Sequence, residues 1–167
     1  MLQVGTQVVY GIHGVCTIIA VETRRVDRKN VDYFVLEPNE QPGARFYVPV
    51  HNQVAVSKLR PLLTKEALDA LLASDETHQN CWIAEENLRK QKYRELINGV
   101  DRGALISMIR ILIKHKEAQL SAGRKFHLCD DNFLRDAEKL ISSEIALVME
   151  LSQEEARNYL RQHLNKE

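Results

Sequence analysis

The 167 residues are 44% hydrophobic and 28% charged, with 23 basic and 23 acidic side chains, a balance that excludes a disordered or collagen-like chain. The length allows one domain or two small ones. No apolar run of about 18 residues occurs, and the first residues lack a basic stretch followed by an apolar one, so no membrane span or secretory leader is predicted and a cytoplasmic location is expected.

Residues 1 to about 62 alternate β-branched and aromatic clusters with turn residues, the pattern of short strands and hairpins. The clusters are Gln7–Tyr10, Val15–Arg24, Val31–Pro38 and Arg45–Val50, and a last strand is expected within residues 52–63. In the second cluster Cys16, Ile18, Ala20 and Glu22 alternate with Val15, Thr17, Ile19, Val21 and Thr23, which predicts one apolar and one mixed face. Residues 25–32 read as a charged hairpin loop. About five strands in so short a stretch predict an SH3-like or Tudor-like barrel.

From residue 63 the period changes from two to that of a helix. Thr64 caps a first helix carrying Leu68, Leu71 and Leu72; a polar break at Ser74–Asn80 precedes a second, from Trp82 to Ile97, ending at Asn98-Gly99. Asp101 caps a third with an apolar stripe at Leu105, Met108, Ile109, Leu112 and Ile113. A fourth is expected over 132–150, and Ser152 with Glu155 has the spacing of a capping box that opens a fifth. The expected class is α+β: a β-domain over 1–62, then a domain of four to five helices over 63–167.

The neutral net charge conceals a basic middle, with ten Lys or Arg against five Asp or Glu over 82–125, and an acidic end, with five against nine over 126–167. Arg89, Lys90 and Lys92, then Lys114 and Lys116, then Arg124 and Lys125 could form a phosphate-facing patch; a merely solvated helix surface is the competing reading. Trp82, the single tryptophan, stands beside this block, either as a core contact or as a wedge in a DNA minor groove.

No phosphate-binding loop, nucleophile elbow or zinc-protease motif is present, so no enzyme is predicted. Cys16 near His13 reads as a buried thiol rather than a catalytic dyad. The odd count of three cysteines predicts free thiols, and His127 with Cys129 lacks a second pair to complete a metal site. No metal or cofactor is expected.

The residues Val4-Gly5, Val8-Val9-Tyr10 and His13-Gly14 resemble the opening of the CarD/CdnL family of bacterial transcription regulators. The resemblance continues through Tyr33–Leu36, Val48-Pro49, Leu59-Arg60-Pro61, Asn98-Gly99, the helix at 104–114, Leu120–Gly123 and residues 142–152. It implies that the β-domain is a Tudor-like module, shared with the transcription-repair coupling factor, that binds the RNA polymerase β subunit. Arg24, Arg25, Arg45 and Tyr47 would then belong to the polymerase-binding surface, and the helical domain would contact promoter DNA at the upstream edge of the melted bubble. Tethering by the β-domain would let weak DNA contacts stabilise the open complex. A protein-only adaptor is the rival expectation, and a monomer without membrane contact is expected in either case.

Overall fold

The structure, a computed structural model, describes residues 1–74 and 82–165. The chain divides into two compact units, Met1–Leu62 and Leu63–Glu167. Most of the polar break, and Cys81 with it, lies outside the described residues.

Unit 1 is a five-stranded antiparallel sheet built from β1 (Gln7–Tyr10), β2 (Val15–Val26), β3 (Lys29–Pro38), β4 (Phe46–Pro49) and β5 (Leu59–Pro61), in the order β4-β3-β2-β1-β5. Its core face gathers Val8, Cys16, Ile18, Phe34, Leu36, Val48 and Leu59. These β-branched and aromatic side chains fit a pleated, half-buried surface.

Two expectations for this unit need correction. Residues 25–32 are not a loop. β2 and β3 continue as a paired ribbon from Arg24↔Val31 to Val26↔Lys29 and turn on Asp27 and Arg28 alone, whose φ angles are 49° and 66°. Positive φ at both central residues is what a two-residue hairpin needs to match strand twist, and Asp-Arg lacks the glycine that advertises it. Residues 52–58 are not strand either. The Asn52 side chain accepts the Ala55 N–H at 3.1 Å and closes a helical turn, α1 (Gln53–Val56), which confines the last strand to Leu59–Pro61.

Unit 2 consists of α2 (Lys65–Ala73), α3 (Glu86–Asn98), α4 (Arg102–Ser121), α5 (Leu128–Met149) and α6 (Gln153–Leu164). The whole is α+β, as expected. Thr64 caps α2, Asp101 caps α4, and Ser152 with Glu155 forms the capping box of α6. Two helix starts differ. α3 begins at Glu86 rather than Trp82, because the Glu85 carboxylate accepts the N–H groups of Asn87 and Leu88 at 3.0 and 2.5 Å. α5 begins at Leu128 rather than Asn132, with His127 Nδ1 accepting the Cys129 N–H at 3.3 Å.

The core of unit 2 lies between α4 and α5, where Ile106, Met108, Ile109 and Leu112 meet Ala137, Ile141 and Ile145, with Leu68, Leu72, Leu160 and Leu164 closing it from α2 and α6. Each large aliphatic side chain buried there contributes about 1.5–3 kcal/mol. α5 also carries three buried carboxylates, each gripped at both oxygens by an arginine of a different helix: Asp130 by Arg89 of α3, Glu144 by Arg102 of α4, and Glu138 by Arg161 of α6. Pairing at both oxygens offsets the desolvation of charges so deep in a helical core.

Candidate functional site

In unit 1 the outer face of the sheet is set by one irregularity. Up to Ile18, β2 turns its even-numbered residues toward the core; a bulge then skips Ile19, so that Ala20 pairs with Val35, Glu22 with Tyr33 and Arg24 with Val31. An extra residue exchanges the faces of everything beyond it. Ala20 and Glu22 therefore leave the face of Cys16 and Ile18, contrary to the unbroken alternation expected. Arg24 joins Tyr33, the buried Val35 and Tyr47 on the side opposite that core.

There the Arg24 guanidinium carbon lies 3.5 Å from the centroid of the Tyr47 ring, and Tyr33 meets the same ring edge-on at 6.4 Å. Arg24 also donates to Glu22 at 3.2 Å, with both side chains 46% exposed. The result is an exposed cation on an aromatic platform. Arg25, the next residue along the strand, turns to the opposite side of the ribbon. Arg45 is held elsewhere: it donates to Glu37 and to the Ala44 carbonyl, while Glu37 also accepts the Gly43 N–H at 3.2 Å. Of the four residues expected at a polymerase surface, Arg24 and Tyr47 are thus brought together. Tyr33 completes the platform; no local signal in the sequence marks it, because its partner Tyr47 lies in another strand.

In unit 2 Trp82 precedes α3 and is half buried against the helical core. Its indole stacks on His115 of α4, with 3.6 Å between ring centroids and 12° between planes, and the Arg89 guanidinium sits 4.4 Å from its centroid. Arg89 does not reach a phosphate-facing surface. Its side chain is 7% exposed, pairs with Asp130 through Nε and Nη2, and donates through Nη1 to the carbonyls of Ile83 and Ala84 at 2.9 and 3.3 Å. This corrects the expected phosphate contact: the guanidinium is an internal clasp that fixes the segment carrying Trp82. Donating to the Asp130 carboxylate raises the Arg89 pKa above its ordinary value.

The remaining cations do not behave alike. Lys90 pairs with Glu86 one helical turn back, which raises its pKa. Lys116 donates to Asp131 at 2.6 Å and lies 5.5 Å from the Phe126 ring centroid. Lys92, Lys114, Arg124 and Lys125 are exposed. Lys114 lines a cleft with Arg110 and Leu164, whereas Lys116 lines another between α4, α5 and α6. The basic block of the sequence is divided among separate surfaces.

Cys16 is buried; its thiol approaches the carbonyls of Gly14 and His13 at 3.7 and 4.0 Å, while the His13 ring stacks on Phe46 at 3.8 Å. Burial pushes the thiol up to about 11, far from a reactive thiolate. His127 and Cys129 meet as a helix cap, and no group of three potential metal ligands occurs among the described residues. Among those residues no helix is long and apolar enough to cross a membrane.

Residues 2–61 match the CarD-like/TRCF RID domain. The N-terminal unit is thus similar to that domain over nearly its whole length. The match spans the sheet that carries Arg24 and Tyr47 and ends at the close of β5. No curated protein sequence matches the chain. The match lies within the N-terminal unit and does not extend into the helical one.

Proposed function

We propose that the RID unit holds this protein on the β subunit of bacterial RNA polymerase through the outer sheet face bearing Arg24 and Tyr47, and that the helical unit contacts promoter DNA. The observation that carries the reading is the RID match over residues 2–61 together with the exposed Arg24–Tyr47 platform on that same sheet. A guanidinium lying on an aromatic ring is held in place, so little freedom is lost when it meets a carboxylate on a partner. Arg25, on the opposite side of the ribbon, and Arg45, held by Glu37, stand outside this contact.

In the helical unit the exposed Lys92, Lys114, Arg124 and Lys125 meet phosphates, with Lys90 and Lys116 contributing when their acidic partners yield. Trp82, fixed by Arg89 and His115, presents its free edge to a base step. Because the RID unit raises the local concentration of the helical unit at the promoter, contacts that are weak alone lengthen the life of the open complex.

The test is twofold. Capture of the polymerase β subunit should be strong with the wild-type chain and lost with Arg24→Glu. Open-complex lifetime on the organism's own polymerase should rise with the wild-type chain, and an unchanged lifetime refutes the DNA arm. The pairing of Lys90 with Glu86 and the burial of Arg89 favour a second reading, an adaptor that binds polymerase and another protein without touching DNA. A promoter footprint insensitive to Lys92→Glu and Arg124→Glu would select it.

A further inference from the structure

The last forty residues of the described chain are rich in acids, yet every lysine and arginine between 126 and 165 lines one cavity. These are Arg135 and Lys139 of α5 and Arg157 and Arg161 of α6, joined by Lys116 of α4. The cavity measures about 460 Å³, within the range of small-ligand sites.

Five cations and the carboxylates of Asp131, Asp136 and Glu138 share its walls. Two of those carboxylates are engaged. Glu138, 4% exposed, takes both nitrogens of the Arg161 fork at 2.9 and 3.1 Å. Asp131 takes Lys116 at 2.6 Å and Arg135 at 3.6 Å. The cations recur at four-residue spacing on both α5 and α6, which stacks like charges on one helix face; Glu138 and Asp131 answer Arg161, Arg135 and Lys116 in part, and cations still outnumber carboxylates along the walls. A fold that gathers the cations of an acidic segment into one concavity has built a place for several anionic oxygens. Arginine forks match phosphoryl oxygens two at a time. Arg135, 65% exposed, and Arg157, also exposed, stand at the mouth and can turn inward without disturbing the core.

We propose that the groove between α4, α5 and α6 binds phosphoryl groups, supplied by a free phosphorylated small molecule or by a nucleic-acid backbone. The assignment stands on this unit alone and needs neither polymerase nor the surface of Lys92 and Arg124.

The full-length protein would be titrated separately with inorganic pyrophosphate and with a short DNA duplex, using calorimetry and the Nε–H resonances of its arginines. Arg135→Glu/Arg157→Glu should weaken binding about tenfold or more, whereas Arg94→Glu, on the exposed side of α3, should leave pyrophosphate affinity unchanged. Pyrophosphate binding that the double variant loses supports a free-anion site. Duplex binding that it loses, with no pyrophosphate binding, supports a backbone site. Binding of neither probe, or equal binding by wild type and double variant, overturns the proposal. Arg135→Gln/Arg157→Gln, which removes charge without reversing it, serves if the glutamate pair lowers helix content. Since no polymerase enters these titrations, their failure leaves the polymerase reading intact.

Discussion

Arg89 of α3 and Asp130 of α5, 41 residues apart, meet as a two-pronged ion pair at 2.9 and 3.0 Å with side chains 7% and 2% exposed. Asp130→Asn leaves the guanidinium buried without a counter-charge, and a loss of about 3–5 kcal/mol is expected. Arg89→Met/Asp130→Leu, which removes both charges, should recover most of it. Urea unfolding followed by the fluorescence of Trp82, which lies against Arg89, measures both. A wild-type midpoint for Asp130→Asn would show that the clasp is not structural.

On the outer face of unit 1, the stacking of Arg24 on Tyr47 should appear as a coupling of about 0.5–1 kcal/mol in a double-mutant cycle of Arg24→Ala and Tyr47→Ala on stability. The same pair of substitutions should be non-additive in β-subunit capture. Strict additivity in both assays would mean that the two side chains act independently.

One buried group and one half-buried group give unit 1 its pH limits. Burial raises the Cys16 thiol from 9.0 to about 11, so the folded state holds that proton more tightly, and its contribution is full below pH 9 and lost as pH rises toward 11. Burial lowers the His13 pKa below 6.5, so the neutral ring is favoured in the fold, and its contribution is full above that pH and lost as pH falls below it. Denaturant midpoints across the pH range should decline at both ends. Cys16→Ala should flatten the alkaline slope and His13→Gln the acid one; an unchanged slope in either variant contradicts the assignment.

The hairpin turn places Arg28 at φ 66°, a region that a side chain resists and glycine enters freely. Arg28→Gly creates the Asp-Gly turn preferred in two-residue hairpins and should stabilise unit 1 by about 0.5–1 kcal/mol. Slower hydrogen exchange at the Val26↔Lys29 pair would register it, and faster exchange would contradict it.

Ser152 accepts the Glu155 N–H at 3.2 Å while its own N–H reaches the Glu155 carboxylate at 2.8 Å. Ser152→Ala should cost about 1 kcal/mol, read as fraying of α6 by hydrogen exchange.

The residues by themselves determined where β gives way to α and where several helices begin, because these signals are local. Strand alternation, and Thr64, Asp101 and Ser152 each capping backbone a few positions ahead, involve contiguous chain. Local signals that compete mislead: Asp27-Arg28 hides a tight turn without glycine, and Asn52 bends into a helical turn a segment whose β-branched residues favour strand. Only the tertiary structure decided what the charged side chains do. The bulge at Ile19 chose the face of Arg24, since one inserted residue inverts an alternation that is otherwise unbroken. Arg89 became a clasp because packing of α3 on α5 removes it from water beside Asp130, a partner that no nearby residue announces. Three carboxylates of α5 are likewise buried against arginines of α3, α4 and α6, and the cations of the acidic end line a single groove. Charge counted along a chain is a sum over neighbours in sequence, whereas electrostatic function depends on neighbours in space.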